Sequence, residues 1–362
     1  MKIETLRLSK ELFSHYEERE PVKYYFGLLA YYALAQTAVL DNDDALLQKC
    51  KDYLAQYPDN FDHPRYNFES YRVGGNGAAW LLMKGYTPEA ADKIRRFADL
   101  TLNAPQSPDG IIRMPGEGNE YKVFADAISC TVPFMTFAGV GLNDERYLNY
   151  AAEQCLKIYD VLFDESCGLI HQARGFLTDK TKVSEDHWSR GNGWGILGLA
   201  ELVRYLPKTS KYYDRVKSYF VNHMHALLKY QTERGLWRQE ITVPYAWYES
   251  SGTAIILYAM GIGIRLGLLD KELFLPALRL GVWGLGRYCI DSTFSTHKSC
   301  PGCLCPGPDS IKGTIDAYLT ERMPRVNEHH SYSALMLALV EAYRNGITEV
   351  EIFERDIMDS SW

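Results

Sequence analysis

Apolar residues recur at helical spacing in twelve separate segments of this 362-residue chain, at about 5–18, 22–40, 44–56, 74–85, 88–103, 124–139, 145–162, 191–206, 210–231, 250–267, 271–290 and 329–345. No stretch alternates regularly for long enough to build a major sheet, and Leu236 to Val243 spells at most one short strand. Twelve helices pair into six hairpins, so the expected fold is all-α, an (α/α)6 toroid in a single domain over residues 1–362. End signals agree. Thr87-Pro88 offers a cap with proline at the first helical position, Asn143-Asp144 opens another helix, and Gly267 closes a third. No linker rich in Pro, Gly or Ser divides the chain, and no sequence repeat is visible beyond the hairpin rhythm.

Four long gaps separate the helical patterns: 103–122, 164–187, 231–247 and 291–318. Loops of this length are uncommon unless functional. They hold Arg113, Glu117, Glu120, His171, Arg174, Trp237, Tyr245 and Trp247, with Arg190 and Tyr248 just beyond, a polar and aromatic inventory suited to a saccharide. Aromatics make up 13% of the residues, with 26 Tyr and 7 Trp, enough to stack sugar rings as well as fill a core. The net charge of −7 argues against a nucleic-acid partner. No run approaches the roughly 20 uncharged apolar residues of a membrane helix; Ala254 to Ile264 is broken by Gly261 and Gly263 and followed by Arg265. Met1 to Arg7 shows no basic segment followed by an apolar run, so a cytoplasmic protein is expected.

Of the eight cysteines, Cys50, Cys130, Cys155, Cys167 and Cys289 lie singly and read as reduced and mostly buried. Cys300-Pro301-Gly302-Cys303-Leu304-Cys305, with His297 upstream, crowds four ligand types into one loop. Ligands so crowded rarely close a tetrahedron without a second pair from elsewhere, so the loop is read as a pocket edge; no metal and no cofactor are expected.

The densest signal is His187-Trp188-Ser189-Arg190-Gly191-Asn192-Gly193-Trp194. Gly191 and Gly193 allow a tight turn and close approach to a ligand, while Trp188 and Arg190 supply a stacking face and a cationic fork suited to a carboxylate. The segment resembles the W-A-R-G-N-G-W signature of the unsaturated uronyl hydrolases, glycoside hydrolase families 88 and 105. Other landmarks follow in order from about residue 20 to 345. Ala125-Asp126-Ala127-Ile128-Ser129-Cys130-Thr131-Val132-Pro133-Phe134 is similar to the family's V-D-T-L-F-M-S-V-P-F helix, whose Asp is catalytic. Gly168-Leu169-Ile170-His171-Gln172 is similar to G-L-F-Y-H-G, whose His lies in the substrate pocket. Glu249-Ser250-Ser251-Gly252-Thr253-Ala254 with Arg265-Leu266-Gly267 resembles E-T-S-G-S-A…R-L-G, and Asn327-Glu328-His329-His330-Ser331-Tyr332-Ser333-Ala334 resembles N-D-x-H-G-x-G-A.

The resemblance implies an enzyme that hydrates the double bond of a 4,5-unsaturated uronic acid at the end of a lyase-generated oligosaccharide. Asp126 then serves as acid and base, among Phe124, Ala125, Ala127 and Ile128, which desolvate it. His171 is expected to bond a sugar hydroxyl or the reacting water, and Arg190 to bind the uronate beside Trp188. Asn192, Trp194, Trp247, His330, Tyr71 and Arg72 complete the expected substrate contacts. Glu69 stands where the family carries a second aspartate, within Asn67-Phe68-Glu69-Ser70-Tyr71-Arg72, and Arg72 adds a cation the family pattern lacks. These departures keep two other readings open. One is an exo-acting hydrolase of saturated uronosides, with Asp126 joined by Glu69, Glu117 or Glu249; the other is a sugar isomerase or epimerase using His329 and His330.

Overall fold

In the computed structural model, which describes residues 1–57, 75–113, 116–303 and 313–355, the chain begins with β1 (Lys2–Glu4), α1 (Thr5–Arg19), α2 (Tyr24–Leu40), α3 (Asp44–Leu54), α4 (Asn76–Met83) and α5 (Ala91–Leu102). There follow β2 (Val123–Phe124), α6 (Asp126–Gly141), α7 (Glu145–Leu162), β3 (Phe163–Asp164), β4 (Leu169–Ile170), β5 (Ala173–Arg174), α8 (Ser189–Tyr205) and α9 (Tyr213–Lys229). The last elements are β6 (Trp237–Arg238), β7 (Tyr248–Glu249), α10 (Ser250–Arg265), α11 (Lys271–Cys289), α12 (Ile315–Glu321), α13 (His329–Arg344) and β8 (Glu349–Glu351).

Burial sorts the long helices into two sets. In α2 every residue from Phe26 to Ala38 is buried; the same holds for Asn76–Leu82 in α4, Ala127–Gly139 in α6, Ser189–Val203 in α8, Ser250–Ile264 in α10 and His330–Ala342 in α13. Helices apolar on all sides have no face to give to water and go inside. By contrast α5 buries only Ile94, Ala98 and Thr101, one stripe at helical spacing, and α1, α3, α7, α9 and α11 likewise leave a face outward. Contacts between neighbours close the inner set into a ring, α2–α4–α6–α8–α10–α13 and back to α2, with α1, α3, α5, α7, α9 and α11 packed around it. This is the expected (α/α)6 toroid.

Because outer and inner helices alternate along the chain in antiparallel hairpins, all six inner helices run the same way. Their N-termini, bearing Tyr25, Asn76, Asp126, Arg190, Ser251 and His330, therefore gather at one end. Short two-stranded clips hold the loops that feed them: β2 with β5, β3 with β4, and β6 with β7. A fourth clip joins β1 to β8, with Ile3 opposite Val350, and ties the two ends of the ring together. At Gly252 the start of α10 passes so close to α8 that a Cβ would lie 2.5 Å from the Ser189 carbonyl carbon. Any larger residue there would force the two helix starts apart.

Three local expectations need revision. Thr87 makes no side-chain cap, and Pro88–Ala90 forms a tight 3-10 turn before α5 begins at Ala91. The strand expected over Leu236 to Val243 shortens to Trp237–Arg238, because its partner offers only Tyr248–Glu249 before turning into α10. The gap at 291–318 contains the start of α12, capped by the Thr314 hydroxyl accepting from the Ala317 amide at 3.3 Å. Asp144, as expected, caps α7 by accepting from the Arg146 amide, and Gly267 at φ 66° follows α10. No helix among the described residues is long and apolar enough to cross a membrane.

Candidate active site

Asp126 is the first residue of α6, delivered by strand β2 with no side-chain cap on Ala125. Asp126 is partly exposed, while its chain neighbours Phe124, Ala125, Ala127 and Ile128 are buried. Burial pushes this carboxyl above the usual carboxylate range, while a hydrogen bond from Gln172 and the charge of Arg190 pull it partway back. The Gln172 Nε2 donates to Asp126 Oδ2 at 2.5 Å. Gln172 reaches that far across because Gly191 has no side chain: a Cβ there would lie 2.0 Å from the Gln172 Oε1. Gly191 sits inside α8, so its use is clearance for Gln172, not the turn that the sequence implies.

Arg190, one residue earlier on α8, is 1% exposed. Its Nη1 donates to Ser251 Oγ at 3.0 Å and to the Cys300 carbonyl at 2.6 Å, its guanidinium lies 4.5 Å from the Trp188 ring centre, and its Nε is buried without a hydrogen bond. Glu328 Oε2 is 3.9 Å from Nη1. Burial alone would weaken the protonated guanidinium; Glu328, Cys300 and Glu249 more than offset it. Glu249 caps α10, accepting from the amides of Ser251 and Cys300 at 3.1 and 3.0 Å and from the Ser189 hydroxyl at 3.1 Å, besides the Gly252 amide. Glu249 is thus a helix-capping carboxylate.

On the far side, Glu328 caps α13 and holds His330, whose Nδ1 lies 2.7 Å from Glu328 Oε1; His330 Nε2 in turn bonds the Tyr25 hydroxyl. Burial drives the His330 pKa down to about 4, so the ring is neutral, and burial together with the nearby Asp126 charge keeps Tyr25 a hydroxyl. A chain Glu328–His330–Tyr25 thus runs toward Asp126. His329 stacks on Phe26, 4.0 Å between ring centres, with its Nε2 3.2 Å from the same Glu328 oxygen that meets His330.

Several expected contacts fall elsewhere. His171 points toward Asp164 and His187, with Nε2 3.8 Å from Asp164 Oδ2, while its neighbour Gln172 faces the acid. Successive residues of an extended segment point to opposite sides, and counting on from Gly168-Leu169 places the motif histidine at Gln172. Asn192 is fully buried and spent on structure: Oδ1 accepts from the Ile170 amide at 2.9 Å, Nδ2 donates to the Ile170 carbonyl at 3.0 Å, and His223 Nε2 lies 3.0 Å from Oδ1. Trp194 is 2% exposed in the core. Trp188 is buried between Arg190 and Tyr318, and Trp247 is half-buried with its Nε1 donating to the Arg322 carbonyl at 3.0 Å. Glu69, Tyr71 and Arg72 lie outside the described residues, as does Cys305. His297 is engaged by Asp291 at 2.9 Å, away from the cysteine loop, while Cys300 is buried and Cys303 half-buried.

The sequence reading misses Gln172 and Tyr25, and also a buried acid pair below Trp188. Asp186 and Glu240 are both fully buried; burial comes first and mutual repulsion second in raising Glu240, and burial raises Asp186 to about 7. At neutral pH the pair retains a proton.

Gln172→Leu removes a donor that favours the ionised form of Asp126, so the acid's pKa should rise further. The alkaline limb of the pH–rate profile should then move up by about 1–2 pH units, the equivalent of a charge-assisted hydrogen bond of about 1.5–3 kcal/mol. Gly191→Ala should shift it in the same direction by displacing the Gln172 amide. A limb that stays in place in both variants would show that Gln172 does not tune the acid.

Fold and site together define a class: a helical toroid whose inner-helix starts bring one protonatable carboxyl beside one buried guanidinium. The chain belongs to Glycosyl Hydrolase Family 88, whose pattern matches residues 7–346. It is similar to the unsaturated 3S-rhamnoglycuronyl hydrolase of Formosa agariphila, 28% identical over 165 residues, covering 43% of this chain and 44% of that one. It is also similar to the unsaturated rhamnogalacturonyl hydrolase YesR of Bacillus subtilis, 26% identical over 161 residues, covering 43% and 46%. The chain thus spans less than half the length of these relatives. A solved structure of a possible member of glycoside hydrolase family 105 from Salmonella enterica superposes with a TM-score of 0.80 at 17% identity, covering 94% of each chain, which shows a shared fold.

Proposed function

We propose that this chain, as one catalytic domain, releases a terminal 4,5-unsaturated uronic acid from short oligosaccharides left by a polysaccharide lyase. The observation that carries the reading is the pairing of Asp126, raised by burial, with Arg190 in electrostatic reach of it. In such a sugar, C4 adjoins C5, which bears the carboxylate, so an acid for C4 and a cation for the carboxylate must be neighbours. The Formosa and Bacillus relatives are named for unsaturated uronyl substrates, which supports the same choice.

The chemistry is that of an enol ether. Protonated Asp126 gives its proton to C4, the electron pair of the double bond forms the C4–H bond, and an oxocarbenium ion develops at C5. Water attacks C5 and passes a proton back to the Asp126 carboxylate. The hemiketal then opens and the aglycone leaves, so the acid is regenerated without a second carboxylate. Arg190 holds the uronate, Gln172 orients Asp126, and Tyr25 with His330 fixes the opposite wall. A cytoplasmic setting belongs to the same reading, supported by seven unpaired cysteines among the described residues.

Saturated uronosides need two carboxyls flanking the glycosidic bond. Glu249 is committed to capping α10 and Glu117 is exposed, which leaves only Glu69 for that role. A sulfur-linked unsaturated disaccharide separates the routes. Hydration at C4 and C5 never protonates the glycosidic atom, so the analogue should turn over; displacement at the anomeric carbon depends on that protonation, and a stalled thioglycoside beside a reactive oxygen-linked control would overturn the proposal.

A further inference from the structure

Outside the acid's surroundings, one cluster of side chains has ligand chemistry that the hydration step does not use. Asp164 ends β3, Cys167 lies in the β3–β4 turn, His171 follows β4, and His187 stands just before α8. His187 Nε2 is 3.1 Å from Asp164 Oδ2 and 3.4 Å from Cys167 Sγ, and His171 Nε2 is 3.8 Å from the same Asp164 oxygen. The ligand atoms of Asp164, Cys167 and His187 all lie within 4.8 Å of one another. Metal–ligand bonds of about 2.0–2.3 Å in a tetrahedron imply ligand–ligand edges of roughly 3.3–3.6 Å, close to these separations.

The surroundings favour a cation. Asp164 pairs only with the two histidines, and no lysine or arginine among the described residues neutralises it. The His187 Nδ1 is buried without a hydrogen bond, so that ring is engaged only through its Nε2 edge, which faces Asp164 and Cys167. The ligand atoms of Asp164, Cys167 and His187 lie close enough for one ion to engage all three. Side-chain exposures of 22%, 17% and 9% for Asp164, His171 and His187 leave a path for entry. The other compact group, Glu328 with His329 and His330, is a poor cation site because Arg190 lies 3.9 Å from Glu328 and Glu328 already serves Ser299 and His330.

We infer that Asp164, Cys167 and His187 form a three-ligand site for zinc or a similar borderline divalent ion, with His171, 3.8 Å from Asp164 Oδ2, beside the open fourth position. One thiolate, one imidazole and one carboxylate is a zinc-type set, and the fourth corner of the tetrahedron is left to water or to the His171 ring. It would staple the β3–β4 turn to the start of α8. The turn leads directly to Gln172 and the helix carries Arg190, so the ion fixes the distance between the two groups that set the state of Asp126. The Cys300–Cys305 loop, which the sequence offers as the place to look for a metal, plays no part.

Co(II) is the probe, since tetrahedral cobalt bound to thiolate gives visible bands and a near-ultraviolet charge-transfer band independent of activity. Chelator-treated protein should take up one equivalent with both features, and one equivalent of zinc should displace it. Cys167→Ser should abolish the charge-transfer band, and His187→Gln should weaken binding by at least the roughly 10–100-fold seen when a supporting partner is lost. Cys303→Ser should change neither. Absence of stoichiometric uptake by the wild-type protein would overturn the proposal whatever the variants do, and so would a band lost in Cys303→Ser but retained in Cys167→Ser.

Discussion

Asp126→Asn should lower turnover by about 10²–10⁴-fold while leaving the fold and substrate binding in place, the range assigned to general acid–base catalysis. The amide keeps the shape of the carboxyl at the start of α6 and still meets Gln172, but it neither protonates C4 nor takes a proton from water. The wild-type rate carries the matching signature. Burial raises the carboxyl, and the proposed hydration begins from its protonated form, so the rate should decline as pH rises through that raised pKa. A folded Asn variant retaining more than about a tenth of wild-type activity would remove Asp126 from the mechanism and make Glu69 the next carboxyl to test.

Arg190→Lys should reduce kcat/KM by about 1.5–3 kcal/mol, roughly 10–150-fold, because lysine keeps the charge but loses the planar fork. The side chain is buried, its Nη1 is spent on Ser251 and Cys300, and its Nε makes no hydrogen bond within the protein. Some of the loss will be structural, and a methyl ester of the same substrate separates the two parts. Esterification should cost the wild type about as much as the substitution does and cost the variant little more, the non-additivity expected of groups in direct contact. Equal ester penalties in both proteins would show that the uronate is held elsewhere.

The ring was legible because most of its inner helices bury more than three turns without an outward polar face, a pattern that survives any error in helix ends. Asp126 and Arg190 were legible through motifs with little other reason to combine those residues. His171 and Gln172 were not told apart, since adjacent extended residues differ only in the side they face, and one register step exchanges them. Gly191 was read for turning because its neighbour in space, the Gln172 amide, is remote in sequence. The cluster of Asp164, Cys167 and His187 was hidden for the same reason: His187 is remote in sequence from the other two, and Asn192 of α8 holds the strand that follows Cys167 through Ile170. Glu328 as the partner of His330 follows from capping, which the sequence pattern Glu-His-His permits but does not single out.

The most direct measurement compares matched saturated and unsaturated glucuronyl disaccharides, following aglycone release together with the ultraviolet absorbance of the conjugated double bond. Hydration predicts that only the unsaturated sugar reacts and that its absorbance disappears in step with release. Turnover of the saturated sugar alone, or release with the absorbance intact, would contradict it.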